Sequence, residues 1–132
     1  MCKMIKVITN LGTQVSISEY KQKQVEEMIQ KAPSCQLIDQ IVLFGSVLRE
    51  DCKDESDIDV VIISKVSVSK LSQSKRYRAY WEKIYKLDDF KTDFDILYFN
   101  TYDDIVKQKD EALICKEILE KGQTIYKKDA CA

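Results

Sequence analysis

Short apolar runs and amphipathic stretches alternate along the whole chain. Residues 3–9 (KMIKVIT) and 14–19 (QVSISE) are rich in branched side chains, and Asn10, Leu11, Gly12 and Thr13 between them predict a turn, giving an N-terminal β-hairpin at 3–19. From Tyr20 to Lys31, Val25, Met28 and Ile29 recur at helical spacing among Lys, Gln and Glu, and Pro33 with Ser34 ends that amphipathic helix. Ile38, Ile41, Val42, Leu43 and Phe44 form a dense apolar run that stops at Gly45 and Ser46. Ile58 to Ile63 is apolar throughout except at Asp59, so both segments predict inner strands covered by helices. Ser64 to Ser74, rich in serine and lysine, reads as a loop or as the frayed start of a helix through Tyr77, Tyr80, Trp81, Ile84, Tyr85 and Leu87. The aromatic stripe of that helix has the spacing of core packing. Asp93 to Phe99 (DFDILYF) predicts a third core strand, and Thr101, Asp103 and Asp104 open a short helix. Ala112 to Lys121 carries Leu113, Ile114, Ile118 and Leu119 on one side before Gly122 stops it, and Gln123 to Tyr126 is a final short strand.

The fold class predicted is α+β: a mixed central sheet around strands 38–44, 58–63 and 94–99, with helices packed mainly on one face, in a single domain over 1–132. Composition supports a packed core, since 45% hydrophobic and 33% charged residues with Gly 3 and Pro 1 exclude a collagenous or low-complexity chain. A net charge of -1 supplies no bulk attraction to nucleic acid or to an anionic membrane. No apolar run approaches membrane-spanning length and the opening MCKMIKVITNLG lacks a signal-peptide pattern, so the expected compartment is the cytoplasm.

Two further counts narrow the chemistry. His 0 removes the usual general base and imidazole ligand, and the five cysteines (Cys2, Cys35, Cys52, Cys115, Cys131) contain no CxxC pair. Serine-histidine hydrolases, zinc deaminases and HExxH proteases are excluded, leaving carboxylates, hydroxyls, lysines or a cysteine. Cys52 reads as a flexible-loop thiol, and Cys35 and Cys115 as small reduced side chains near packing surfaces.

Gly45 and Ser46 follow one strand directly, and Ser56-Asp57-Ile58-Asp59 leads into the next. A Gly-Ser turn lets backbone approach a ligand, and its amides and the Ser46 hydroxyl suit phosphate oxygens, most of all if a helix starts there. Period two along a strand puts Asp57 and Asp59 on one face with Ile58 and Val60 on the other. Two such carboxylates repel unless a hard cation joins them, and Mg2+ between carboxylates and substrate phosphates resolves that conflict. Asp95 repeats the pattern on the third strand, and Asp93 shares its face, so a register shift exchanges their roles. Three carboxylates together would complete a two-metal arrangement for phosphoryl chemistry. The bland alternative makes each aspartate a cap, an edge residue or part of a solvent face. Lys65, Lys70, Lys75, Arg76 and Arg78 form a basic segment that reads as a solvated helix face or as a contact for a triphosphate.

The stretch LFGSVLREDCKDESDIDVVI resembles the signature of the DNA polymerase beta-like nucleotidyltransferase superfamily, above all its small minimal nucleotidyltransferases, and FDILYF resembles the strand carrying that family's third carboxylate. The resemblance runs from about Val25 to Tyr126. It implies a polymerase-beta-like fold in which Gly45 and Ser46 bind phosphate, Asp57 and Asp59 bind two Mg2+ ions, and Asp95 is the third metal ligand and activates an acceptor hydroxyl. Arg49 stands where relatives often carry an arginine that touches triphosphate or acceptor, whereas Glu50 stands where they often have glycine. The implied activity is Mg-dependent transfer of AMP from ATP, with pyrophosphate released. Such proteins are commonly paired with an all-helical HEPN partner, some as toxin-antitoxin systems, and the short chain makes a HEPN-like partner or a second copy the expected source of the acceptor. A nucleic acid acceptor is not favoured. A noncatalytic antitoxin or partner-binding module for a HEPN-like protein competes with the enzyme, on the strength of Glu50 and the small size.

Overall fold

The computed structural model describes residues 2–53 and 56–128. The chain opens with strands β1 (Met4–Ile8) and β2 (Gln14–Ser18), paired antiparallel from Met4↔Ser18 to Ile8↔Gln14. Helix α1 (Gln22–Lys31) comes after a short 3-10 turn, Glu19–Lys21, whose first free amide, Tyr20 N–H, donates to the Ser18 side chain. Strand β3 (Gln40–Phe44) leads through a 3-10 turn, Gly45–Leu48, and a loop into β4 (Ile58–Ile63). Helices α2 (Val68–Gln73) and α3 (Lys75–Lys86) then connect to β5 (Phe94–Phe99), and α4 (Tyr102–Lys107), α5 (Leu113–Lys121) and β6 (Gln123–Lys127) complete the fold.

Strands β5, β4, β3 and β6 lie in that order in one mixed sheet. β3 is antiparallel to both β4 and β6, while β4 and β5 are parallel. A parallel pair cannot be joined by a tight turn, and α2 and α3 form the crossover. The sheet's two faces separate the core. Ile41, Leu43, Ile58, Val60 and Ile62 pack with the hairpin residues Val7, Val15 and Ile17, with Val25 and Met28 of α1, and with Tyr77, Tyr80, Trp81 and Ile84 of α3. Val42, Phe44, Val61 and Ile63 face the smaller layer, against Ile105, Cys115 and Ile118 of α4 and α5. The larger helical layer thus covers one face, and the two short helices cover only part of the other.

The aromatic stripe of α3 is core, as its spacing predicts. Tyr80 is fully buried and donates its hydroxyl to the Met28 carbonyl at 2.7 Å, and Trp81 meets Phe94 with ring centroids 5.0 Å apart. The serine-rich stretch before it is a loop only over residues 64–67 and then a separate short helix. Ser67 accepts from Lys70 N–H and caps α2, and Ser74 accepts from Tyr77 N–H and caps α3. The loop into β5 is fastened from α1's side: buried Lys21 donates its ammonium to Thr92 Oγ1 at 2.9 Å, and Thr92 donates to Asp88.

Cys52 departs from its sequence reading. It is bonded to Cys2 in a disulfide, and both residues are buried. Cys2 N–H also donates to the Glu50 carbonyl at 2.6 Å, so the start of the hairpin is fastened to the segment between Gly45 and Asp57. The far end of the hairpin is held by Asn10, whose side chain donates to the Lys127 carbonyl at 2.7 Å and accepts Lys127 N–H at 2.9 Å. Cys35 and Cys115 are free and buried, as expected of small packing residues. Cys131 lies outside the described residues.

Candidate active site

The register places the acidic residues in a row. Phe44, the last residue of β3, stands opposite Asp59, and Asp59 stands opposite Asp95 on β5. Because Asp59 shares its face with Val61 and Ile63, it lies on the side of the sheet that α4 and α5 cover only in part. The Asp95 carboxyl lies close enough to act on that of Asp59, and Asp57 and Glu117 of α5 act on it as well. Asp57 is exposed just before β4. Its neighbour Ile58 is pinned by donation of its N–H to the Asp93 carbonyl at 3.0 Å. Asp93 therefore contributes its backbone to the start of β4, and Asp95 is the aspartate paired with Asp59.

Burial raises the Asp59 pKa most, and Asp95, Asp57 and Glu117 raise it further, taking it from 3.8 to about 6. The charge that Asp59 carries at neutral pH is held against its environment. Such a cluster of hard oxygen donors fits Mg2+, which takes one or two carboxylates and completes its shell with waters and phosphates. Among the described residues no group of three or more His, Cys, Asp and Glu is placed so as to hold a metal ion as it stands. Asp57, Asp59 and Asp95 are the carboxylates that the sequence resemblance assigns to the ion.

Gly45 is required at the edge of this cluster for two reasons. Its φ is +77°, in the left-handed region, and an added Cβ would collide with Asp59 Oδ2 and lie 3.1 Å from Asp59 Cγ. The turn packs directly on the carboxylate that a side chain would displace. Gly45–Leu48 form a 3-10 turn rather than the start of an α-helix, with Arg49 N–H donating to the Ser46 carbonyl at 3.0 Å. Ser46 is half-buried. Arg49 is exposed and donates from Nε to Asp51 at 3.0 Å. The loop beyond closes through Lys53 N–H donating to Ser56 Oγ at 2.9 Å, and Asp54 and Glu55 lie outside the described residues. The basic stretch at Lys65, Lys70, Lys75 and Arg76 begins past Ile63, at the end of β4 opposite the aspartates, roughly 15 Å along the strand. The structure does not bring it into the site.

Sequence reasoning did not find the other wall. A cleft of about 440 Å3 opens beside Gly45, lined by Gln14, Val15 and Ser16 of β2, Leu48 and Arg49 of the turn, Glu117 and Lys121 of α5, and Gln123 of β6. Apart from Gly45 and Arg49, which the sequence motif singles out, nothing local marks these residues. Gln14 and Ser16 are the outward positions of a strand whose Val15 and Ile17 face the core, and Glu117 is one of several charged residues on an amphipathic helix.

No curated protein matches the chain. A solved structure described as tri-AMPylated Shewanella oneidensis HEPN toxin in complex with MNT antitoxin is similar at 17% identity and a TM-score of 0.46, covering 81% of this chain and 72% of that chain. The sequence profile of the nucleotidyltransferase domain matches residues 21–125. That span takes in β3, β4 and β5, the Gly45–Ser46 turn and the aspartates at 57, 59, 93 and 95, and the chain belongs to the nucleotidyltransferase domain family.

Proposed function

We propose that this protein transfers a nucleoside monophosphate, AMP from ATP, onto a hydroxyl group and releases pyrophosphate. One observation carries the proposal: Asp59 and Asp95 stand opposite each other across parallel strands, Asp59 lies directly against the Gly45 turn, and Asp57 immediately precedes the same strand. The acceptor oxygen would attack the α-phosphorus, the bond from that phosphorus to the bridging oxygen of the β-phosphate would break, and the hydroxyl proton would pass to the Asp95 carboxylate. Ser46 and the amides of its turn would hold the β- and γ-phosphates. Asp57 and Asp59 would hold Mg2+ against the phosphates. When bound, Mg2+ supplies charge neutralisation of the triphosphate and of the leaving pyrophosphate. Positioning and charge compensation would account for the rate enhancement.

The acceptor in this proposal is a side-chain hydroxyl of a partner protein, a HEPN-like helical protein being the one the sequence resemblance names. Exposed Leu113 and Ile114 on α5, the helix that also lines the cleft, support a protein contact there. A noncatalytic partner-binding role is the second reading. The ion pair of Arg49 with Asp51 favours it, because that guanidinium already has a carboxylate partner.

Labelled ATP separates the two. With Mg2+ and a HEPN-like protein, label at the α-phosphate should become covalently attached to protein while label at the γ-phosphate should leave as pyrophosphate, and the Asp59→Asn variant should abolish the attachment. No protein-bound α-label from wild type while the complex with the partner still forms would select the noncatalytic role.

A further inference from the structure

We infer that the N-terminal hairpin is the base-reading wall of the donor site, with the carboxamides of Gln14 and Gln123 recognising the adenine of the nucleotide in the cleft beside Gly45. The inference rests on the nucleotidyl-transfer proposal and extends it to the hairpin, which precedes residue 21 and so lies outside the stretch matched to the family, whereas Gln123 lies within it.

The cleft has the size for this role. At about 440 Å3 it falls within the roughly 300–1,000 Å3 range of small-molecule sites. It is continuous with the phosphate-binding turn, because Gly45 both lines it and packs on Asp59. The larger hollow elsewhere, about 670 Å3 beside Lys21 and Thr92, does not reach the Gly45 turn, whereas the cleft beside Gly45 meets Asp59 through that glycine.

The donor set matches a nucleoside better than it matches a bare anion. Each carboxamide offers a donor and an acceptor side by side, the pattern that pairs with adenine N7 and its exocyclic amine. Ser16 adds a hydroxyl and Leu48 supplies an aliphatic wall for a flat ring. Glu117 offers an acceptor for ribose hydroxyls, and Lys121 at the end of α5 adds a cation at the same cleft. Gln14, Ser16 and Gln123 are all exposed.

The wall is also built to stay in place. Val15 and Ile17 alternate with Gln14 and Ser16 and bury themselves in the larger core, so the two polar side chains are held outward by the strand's period. The Cys2–Cys52 bond fixes one end of the hairpin and the two Asn10 bonds to Lys127 fix the other. A preordered wall loses little freedom when a base seats against it.

The test is calorimetric titration of the full chain and of a Gln14→Ala/Gln123→Ala variant, checked for fold by circular dichroism, with Mg-ATP, Mg-GTP and Mg-tripolyphosphate. Wild type should bind ATP at least about tenfold more tightly than GTP or tripolyphosphate. The variant should lose that margin for ATP and keep its affinity for tripolyphosphate. A variant that retains the ATP preference, or a wild type that binds ATP no better than tripolyphosphate, overturns the base-reading role while leaving the phosphate site standing. Binding of neither ATP nor tripolyphosphate by wild type overturns the nucleotidyl-transfer proposal and this inference together.

Discussion

Replacing Asp59 by asparagine keeps the shape of the side chain and removes its charge, and the neighbours of Asp59 set what that does to stability. Burial, Asp95, Asp57 and Glu117 raise its pKa from 3.8 to about 6. A carboxyl whose folded pKa lies above its unfolded value favours the folded state fully below pH 3.8, and that advantage is lost as pH rises through about 6. Above neutrality the folded chain holds a charge that the unfolded chain would hold more easily. A rise of that size corresponds to a ceiling of about 3 kcal/mol. Water screens the half-buried side chain, so the share expected in stability is about 1 to 2 kcal/mol. For a chain of this size that is a rise in Tm of roughly 3–8 °C for Asp59→Asn at pH 8, shrinking to nothing near pH 4, where wild-type Asp59 is already protonated. Differential scanning calorimetry in EDTA at both pH values measures it. A wild type at least as stable as the variant at pH 8, or a gap that is the same at the two pH values, would refute the account of the carboxylate cluster.

Other substitutions probe the supports of the site. Gly45→Ala should cost about 1–3 kcal/mol in urea unfolding and abolish nucleotide binding, because the backbone is left-handed there and the added methyl meets Asp59. Unchanged unfolding would contradict the close packing of turn and carboxylate. The Cys2–Cys52 bond closes a loop with a sequence separation of 50, for which the chain-entropy account gives a ceiling of about 4 kcal/mol. Cys52→Ser, or wild type in reductant, should lower Tm relative to oxidised wild type, and identical melting curves would show that the bond contributes nothing. Tyr80→Phe removes a 2.7 Å bond to the Met28 carbonyl and should cost about 1 kcal/mol at equilibrium without changing nucleotide binding. A variant as stable as wild type would place that hydroxyl outside the stabilising core.

The parts of this molecule that are legible in its sequence are those in which the signal is local. Period two along β4 puts Asp59 on the face of Val61 and Ile63, and the same rule on FDILYF aligns Asp95, which the parallel register then sets opposite Asp59; Asp57 stands just before the strand. The aromatic stripe of α3 is core for the same reason, a fixed helical period against a single packing face. Where partners are far apart in the chain, the sequence is silent. Cys2 and Cys52 carry no motif that pairs them, and Glu117, Gln123 and Gln14 come to one cleft only because β6 returns beside β3 and the hairpin packs against the turn. The serines at 67 and 74 escape a reading by composition, which does not distinguish a loop from two consecutive helix caps; the hydrogen bond that each side chain accepts three residues on decides between them. The turn at Gly45 is legible as a close approach, but its target, the Asp59 carboxylate itself, needs the β3–β4 register.

The most direct test of the central claim is calorimetric binding of ATP in the presence and absence of Mg2+ to wild type and to an Asp57→Asn/Asp59→Asn variant whose fold is verified by circular dichroism. The account predicts saturable binding to wild type that requires Mg2+ and disappears in the folded variant. Binding that persists in the variant, or that is indifferent to Mg2+, would contradict the assignment of the carboxylates beside Gly45 as the metal-nucleotide site.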